Sequence, residues 1–157
     1  MLYCVSIKDF HKKLEKGKAL LGVDCGTRKI GVSISDPNLV ISMPHSIIQC
    51  KTAKEGALAL KKVIDSKSLW GVVLGYPLDP MGNEGPTHEV VKDIIKELEK
   101  IGCEMPYFLQ DERFTTKFAI RTLEAQNPSK KGNDGMDDSL AASYILQTTL
   151  DLIRNSS

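Results

Sequence analysis

Residues 19–35 read ALLGVDCGTRKIGVSIS. Ala19 to Cys25 forms an apolar strand interrupted only by Asp24, and Gly26-Thr27 supplies a turn. Lys29 to Ser35 alternates, with Ile30, Val32 and Ile34 on one face, as a second strand requires. Asp36-Pro37-Asn38 is a further turn signal, and Leu39 to Ile48 reads as a third extended segment. Three closely spaced strands joined by short turns predict an antiparallel meander.

Beyond the meander the hydrophobic period changes. Thr52, with Glu55 three residues on, is a capping box. The helix after it carries Ala57, Leu60, Val63 and Ile64 on an apolar stripe. Leu69 to Tyr76, LWGVVLGY, is a continuous apolar run, the signature of a strand buried on both faces. Pro77 to Pro86 is a loop rich in proline and glycine. Thr87 caps a helix to Ile101, with Val90, Val91, Ile94, Ile95 and Leu98 inward. Pro106 to Gln110 is a short strand that leads into Asp111-Glu112-Arg113. Thr115 or Thr116 caps a helix to Gln126, Asn127 to Asp137 is a polar loop, and Asp138 to Ile153 is a final helix. Strands that follow helices pair in parallel. The expectation is an α/β domain over residues 19–157, its mixed sheet covered by helices on both faces. Residues 1–18 read as an N-terminal helical appendage. Ser6 caps it, Ile7, Phe10 and Leu14 share a face, and Gly17 ends it.

Composition narrows the function classes. The chain has 157 residues, 41% of them hydrophobic, which suits a globular domain and excludes global disorder. The longest nearly apolar run has less than half the ~20 residues of a membrane span, and the first residues lack a signal-peptide core. Cys4, Cys25, Cys50 and Cys103 lie far apart without a Cys-x-x-Cys pair, so a reduced, cytoplasmic protein without a zinc finger is expected. Net charge is +1, which argues against a polybasic nucleic-acid binder but leaves room for local patches. Residues 1–20 and 51–70 each hold five lysines against two acids, whereas residues 71–110 hold three lysines against seven acids.

Three acids stand out. Asp24 breaks an apolar strand between two glycines, where a carboxylate needs a partner or a metal. Glu112 follows a strand, where an α/β sheet presents groups at its carboxyl edge. Asp138 opens the last helix beside the small pair Ala141-Ala142. Each also has an ordinary reading: Asp24 as a strand-end turn residue, Glu112 as an acid on a helix dipole, and Asp138 as a cap, a role that suits Asp137 better.

Taken in order, four stretches resemble a known family. GVDCGTRKIGVSISD, VVLGYPLDPMGNEGP, DERFTT and DDSLAASYILQ are similar to the successive motifs of the YqgF family of pre-16S rRNA nucleases and Holliday-junction-resolvase-like proteins. The likeness spans about residues 19–150. It departs at Tyr76, Asp79 and Met81, where members frequently carry Leu, Asn and Asp. The resemblance implies an RNase H-like fold whose five strands, counted from Ala19, lie in the order 3-2-1-4-5. It also implies an acidic triad at Asp24, Glu112 and Asp138.

A carboxylate triad suits phosphodiester hydrolysis. Hard oxygen ligands select Mg²⁺ or Mn²⁺, and two such ions about 3.5–4 Å apart can serve nucleophile and leaving group. Asp24, short and fixed on a strand, suits the central position. Arg28, Lys29, Arg113, Lys130 and Lys131 are near these acids in sequence and are expected to meet substrate phosphates, although each lysine also reads as a surface charge and Arg113 as an ion-pair partner of Asp111 or Glu112. The expected partner is structured nucleic acid, ribosomal RNA precursor first and branched DNA second, within a defined complex such as a ribosomal particle. Monomer and homodimer both remain compatible, and no membrane is implied. Two further readings compete. The Asp-Cys-Gly-Thr turn resembles a phosphate loop of actin-like and sugar-kinase ATPases, which need two such lobes. A non-catalytic RNA-binding assembly factor could keep the same fold.

Overall fold

The computed structural model describes residues 1–78, 81–85, 88–116, 120, 123 and 137–156. Strand β1 (Leu2–Cys4) and helix α1 (Ile7–His11) come first. The meander follows as β2 (Ala19–Cys25), β3 (Lys29–Ser35) and β4 (Ser42–Gln49). Then come α2 (Ala53–Ser66), β5 (Leu69–Tyr76), α3 (His88–Lys100), β6 (Pro106–Asp111) and a 3₁₀ turn over Glu112–Phe114. Helix α4 (Asp138–Ser156) closes the chain.

The sheet is mixed, as expected, but it has six strands rather than five: its order, β1-β6-β5-β2-β3-β4, differs from the expected five-stranded arrangement by the addition of β1 beyond β6. The reason is β1. Only three residues long, it has no readable alternation, yet it pairs in parallel with β6 and extends the sheet past that edge. Leu2 N–H donates to Met105 C=O at 3.2 Å to start the ladder. Strands β2–β3 and β3–β4 pair antiparallel, whereas β2–β5 and β5–β6 pair parallel.

Other boundaries moved for local reasons. The third extended segment begins at Ser42 rather than Leu39. The Asp36 carboxylate accepts N–H bonds from Asn38, Val40 and Ile41 at 3.0, 2.7 and 2.8 Å and folds those residues into a turn. Ser6 caps α1 as expected, but the helix stops at His11 rather than near Gly17. The capping box at the start of α2 holds: Glu55 N–H donates to Thr52 Oγ1 at 3.2 Å, and the Glu55 carboxylate reaches back to Lys51 N–H at 2.8 Å. The helix expected from Thr115 or Thr116 to Gln126 lies largely outside the described residues, and so does most of the polar loop after it.

Strand alternation splits the interior in two. One face sends Leu21, Val23, Val72 and Leu74 toward α2 and α3. The other sends Leu20, Trp70 and Val73 toward Ile145, Leu146 and Leu150 of α4. Residues 1–18 join this second layer. Phe10 is fully buried, 4.7 Å from the Trp70 ring centroid and 5.7 Å from Phe108. It fills the space over Gly71, where a Cβ would sit 2.9 Å from its ring. Phe10→Ala is therefore expected to lower unfolding free energy by roughly 3–5 kcal/mol in urea titration, the range for a truncated buried aromatic. A loss under about 1 kcal/mol would mean that the N-terminal segment is not integral to this core.

Candidate active site at the carboxyl edge of the sheet

Asp24 occupies the penultimate position of β2 and is half-buried. Gly22, two residues earlier, faces α4: a Cβ there would lie 2.7 Å from Leu146 Cβ. By alternation Asp24 points to the same side. Its two lateral neighbours in the sheet are glycines. Gly31 pairs directly with it on β3. On β5, Leu74 pairs with Val23, so the parallel register carries Gly75 alongside Asp24.

Those glycines leave the space that the other two acids enter. A Cβ on Gly31 would collide with the Asp138 carbonyl oxygen at 1.8 Å, so the first residue of α4 lies directly on this position. A Cβ on Gly75 would sit 3.0 Å from Glu112 Oε1, so the Glu112 carboxylate rests over that glycine. Directly opposed residues place their Cβ positions about 5 Å apart, and neighbouring strands have the same spacing. The Asp138 backbone and the Glu112 carboxylate thus flank the Asp24 position, each over the strand next to it.

Local structure holds each acid in place. Asp137 caps α4, as its position suggested: its carboxylate accepts Leu140 N–H at 2.8 Å and the Ser139 hydroxyl at 2.7 Å. Asp138 is therefore the first helical residue, not the cap. Glu112 is buried at the start of its 3₁₀ turn, where its carbonyl accepts the Thr115 N–H at 3.2 Å and the Thr115 hydroxyl at 2.7 Å.

Carboxylate oxygens are hard donors, which suit Mg²⁺ or Mn²⁺ and not a thiolate- or imidazole-seeking metal. The four cysteines are free thiols, with Cys4, Cys50 and Cys103 buried. Among the described residues no three His, Cys, Asp or Glu side chains stand close enough to hold a metal ion as they are positioned. The donor chemistry and the backbone placement fit such an ion, but the side chains do not form a closed cage.

The expected phosphate contacts divide. Arg28 and Lys29 are exposed on the turn after Asp24. Arg113 is held by Asp111, with Nη2 at 2.6 Å and Nε at 3.1 Å from its carboxylate, and its guanidinium lies 5.3 Å from the Phe114 ring centroid. Burial raises the Asp111 pKa, but the bonds from Arg113 outweigh it and hold the carboxyl below its ordinary value. Lys130 and Lys131 lie outside the described residues. Sequence reading missed Lys51. The pairing of Lys29 with Gln49, and a 2.9 Å bond from Cys50 N–H to Arg28 C=O, bring it beside Arg28 and Lys29 on a shared surface hollow. Trp70 is a packing residue, in the buried layer under α1.

Comparison with known proteins identifies a family and a fold. The model of the family described as RuvX: Holliday junction resolvase matches residues 18–152. A Rickettsia rickettsii protein provisionally named pre-16S rRNA nuclease is 33% identical over 150 residues, covering 96% of this chain and 97% of the relative. An Anaplasma marginale protein of the same name is 33% identical over 153 residues, covering 98% and 97%. Among solved structures, Thermus thermophilus RuvC in complex with a Holliday junction substrate superposes with a TM-score of 0.56 at 10% identity, covering 89% of this chain and 96% of that one. That likeness concerns the fold.

The close approach at Gly31 gives a direct test. Gly31→Ala should displace the first turn of α4 and destabilise the protein by about 1–3 kcal/mol, as overpacking does. Thermal or urea unfolding reads the loss. Unchanged stability would show that α4 does not press on β3 at this point.

Proposed function

The chain belongs to the RuvX family, also known as YqgF, and from that premise we propose that it is a divalent-metal-dependent endonuclease acting on structured nucleic acid, with precursor 16S ribosomal RNA as its first substrate. The carrying observation is the pair of glycines, Gly31 and Gly75, that admit Asp138 and Glu112 to either side of Asp24.

In this reading Asp24, Glu112 and Asp138 hold Mg²⁺ or Mn²⁺. A bound divalent ion supplies Lewis-acid charge to hydrolysis of a phosphodiester. The chain's own residues do the rest. Asp24 is anchored within a paired strand, so it has the least freedom and sets the position of the site. Glu112 and Asp138, each at the start of a helical turn, orient toward it. Water adds to phosphorus, one P–O ester bond breaks, and the leaving alkoxide takes up a proton. Arg28, Lys29 and Lys51 offer positive charge to phosphates flanking the scissile one, so binding should weaken as salt rises. Arg113, bonded to Asp111, braces the turn that presents Glu112. Residues 19–157 form the nuclease domain in this assignment. Among the described residues no helix is long and apolar enough to cross a membrane.

A second substrate has one observation in its favour: the matching family model is described as a Holliday junction resolvase. Four-way DNA junctions therefore belong in the same assay. With Mg²⁺ or Mn²⁺, wild-type protein should cleave precursor rRNA fragments in preference to junctions. Asp24→Asn should reduce cleavage by at least roughly a hundredfold, as loss of a charge-stabilising group does, while retaining binding. An Asp24→Asn protein that cleaves at the wild-type rate would refute the carboxylate assignment. One that corrects a cellular defect without cleaving would favour a non-catalytic assembly role.

A further inference from the structure

On the far side of the sheet from the acids, between α3 and the ends of β1, β5 and β6, lies a cavity of about 560 Å³. Three tyrosines line it: Tyr3, Tyr76 and Tyr107. Tyr3 and Tyr107 face each other across the β1–β6 pair and stack, with centroids 5.3 Å apart and planes inclined by 27°. Leu109 and Ile95 complete the apolar wall.

Among the described residues, the three carboxylates around this cavity each face a basic group. Glu84 accepts the Tyr76 hydroxyl at 2.5 Å and faces His88 at 3.1 Å and Lys92 at 3.5 Å. Asp111 is held by Arg113 at 2.6 Å. Glu99 faces the N-terminal ammonium at 3.7 Å. Lys96, also in the lining, has no carboxylate within ion-pair distance among the described residues. The cavity thus offers flat aromatic surface and, in Lys96, a cation without an ion pair among the described residues. That is the chemistry that takes an unstacked base with its phosphate.

Position connects the cavity to the acids. Asp111 lines it, and the next residue, Glu112, turns to the opposite face over Gly75; Tyr76, next to Gly75, lines it in turn. The two sites therefore meet over the ends of the same two strands. We propose that this tyrosine-lined cavity is a subsite for an unpaired nucleotide flanking the cleavage position, its base stacked on Tyr107 and Tyr3 and its phosphate met by Lys96. The proposal deepens the nuclease reading and rests on it.

The test uses Asp24→Asn protein with Mg²⁺, so that probes stay intact, and measures affinity for an RNA duplex with a single-stranded overhang against the same duplex blunt-ended. Tyr107→Leu and, separately, the half-exposed Tyr3→Leu should weaken overhang binding roughly 5- to 100-fold, the span expected for one lost base–aromatic stack, and leave blunt binding unchanged. Tyr107→Phe should retain affinity, and thermal unfolding checks that each variant is folded. Abasic substitutions walked along the overhang should find one position that gives the same loss, with no further loss when combined with Tyr107→Leu. Equal losses on blunt and overhang probes, full additivity with every abasic position, or an altered oligomeric state with oligonucleotide affinity intact would overturn the subsite. Binding that ignores the tyrosines would overturn it alone, whereas failure of the chain to bind any probe would overturn the nuclease reading as well.

Discussion

Helix α4 lies on β2 and β3 at a separation that only glycine allows. A Cβ on Gly22 would fall 2.3 Å from Ser33 Oγ and 2.7 Å from Leu146 Cβ, and one on Gly31 would overlap the Asp138 backbone. The contact is also polar: the Ser33 hydroxyl donates to Ala142 C=O at 2.9 Å, and the Ser42 hydroxyl donates to Ser143 C=O at 2.5 Å. Helix and sheet are thus locked in translation as well as in depth. The placement of Asp138 follows, because a helix pinned at Ala142 and Leu146 has its first residue determined by the 1.5 Å rise. The proposed acidic site depends on this fit, since the Asp138 backbone over Gly31 and the Glu112 carboxylate over Gly75 occupy space that a side chain would fill.

That dependence explains what could and could not be read from the linear chain. Asp24 was legible because a carboxylate in an apolar strand is anomalous wherever it occurs. Ala141 and Ala142 were legible as a close-packing face, and Asp137 as the cap that leaves Asp138 uncommitted to it. Gly31 and Gly75 were present as strand glycines, but their meaning lies in register: one sits across from Asp24, the other beside it. No local pattern specifies which residue of β5 lies next to which residue of β2. Strand β1 was missed for the same reason. Leu2–Cys4 is too short to alternate, and its ladder partner lies more than a hundred residues away. Tyr3 and Tyr107 become neighbours only through that pairing. Lys51 joins Arg28 only after β3 and β4 are aligned.

Charge is distributed by the same geometry. With a net charge of +1, the molecule has no general attraction for a polyanion. Arg28, Lys29 and Lys51 nevertheless gather at the end of the sheet where Asp24 sits. In the proposed site the acids would repel a phosphodiester, the nearby cations would supply the approach, and a hard cation between the acids would reverse the sign of the local field. Neutrality of the whole chain and a local positive patch are therefore compatible.

The ends of β5 and β6 separate two chemistries by the pleat alone. Gly75 and Glu112 belong to the α4 side, while Tyr76 and Asp111 belong to the α3 side. Gln110, one step back, returns to the α4 side, where its amide oxygen accepts the Thr149 hydroxyl at 2.8 Å. A slip of one residue in β5 would exchange the faces and place Tyr76 on the α4 side, in the space over Gly75 that the Glu112 carboxylate fills. The register is held against that slip from both directions. Buried Thr149 fixes Gln110 from α4, and Arg113 clamps Asp111 from the turn beyond. Two pairs of adjacent residues thus set Glu112 and the tyrosine cavity on opposite faces of one sheet edge, the arrangement that the proposed nuclease site and nucleotide subsite both require.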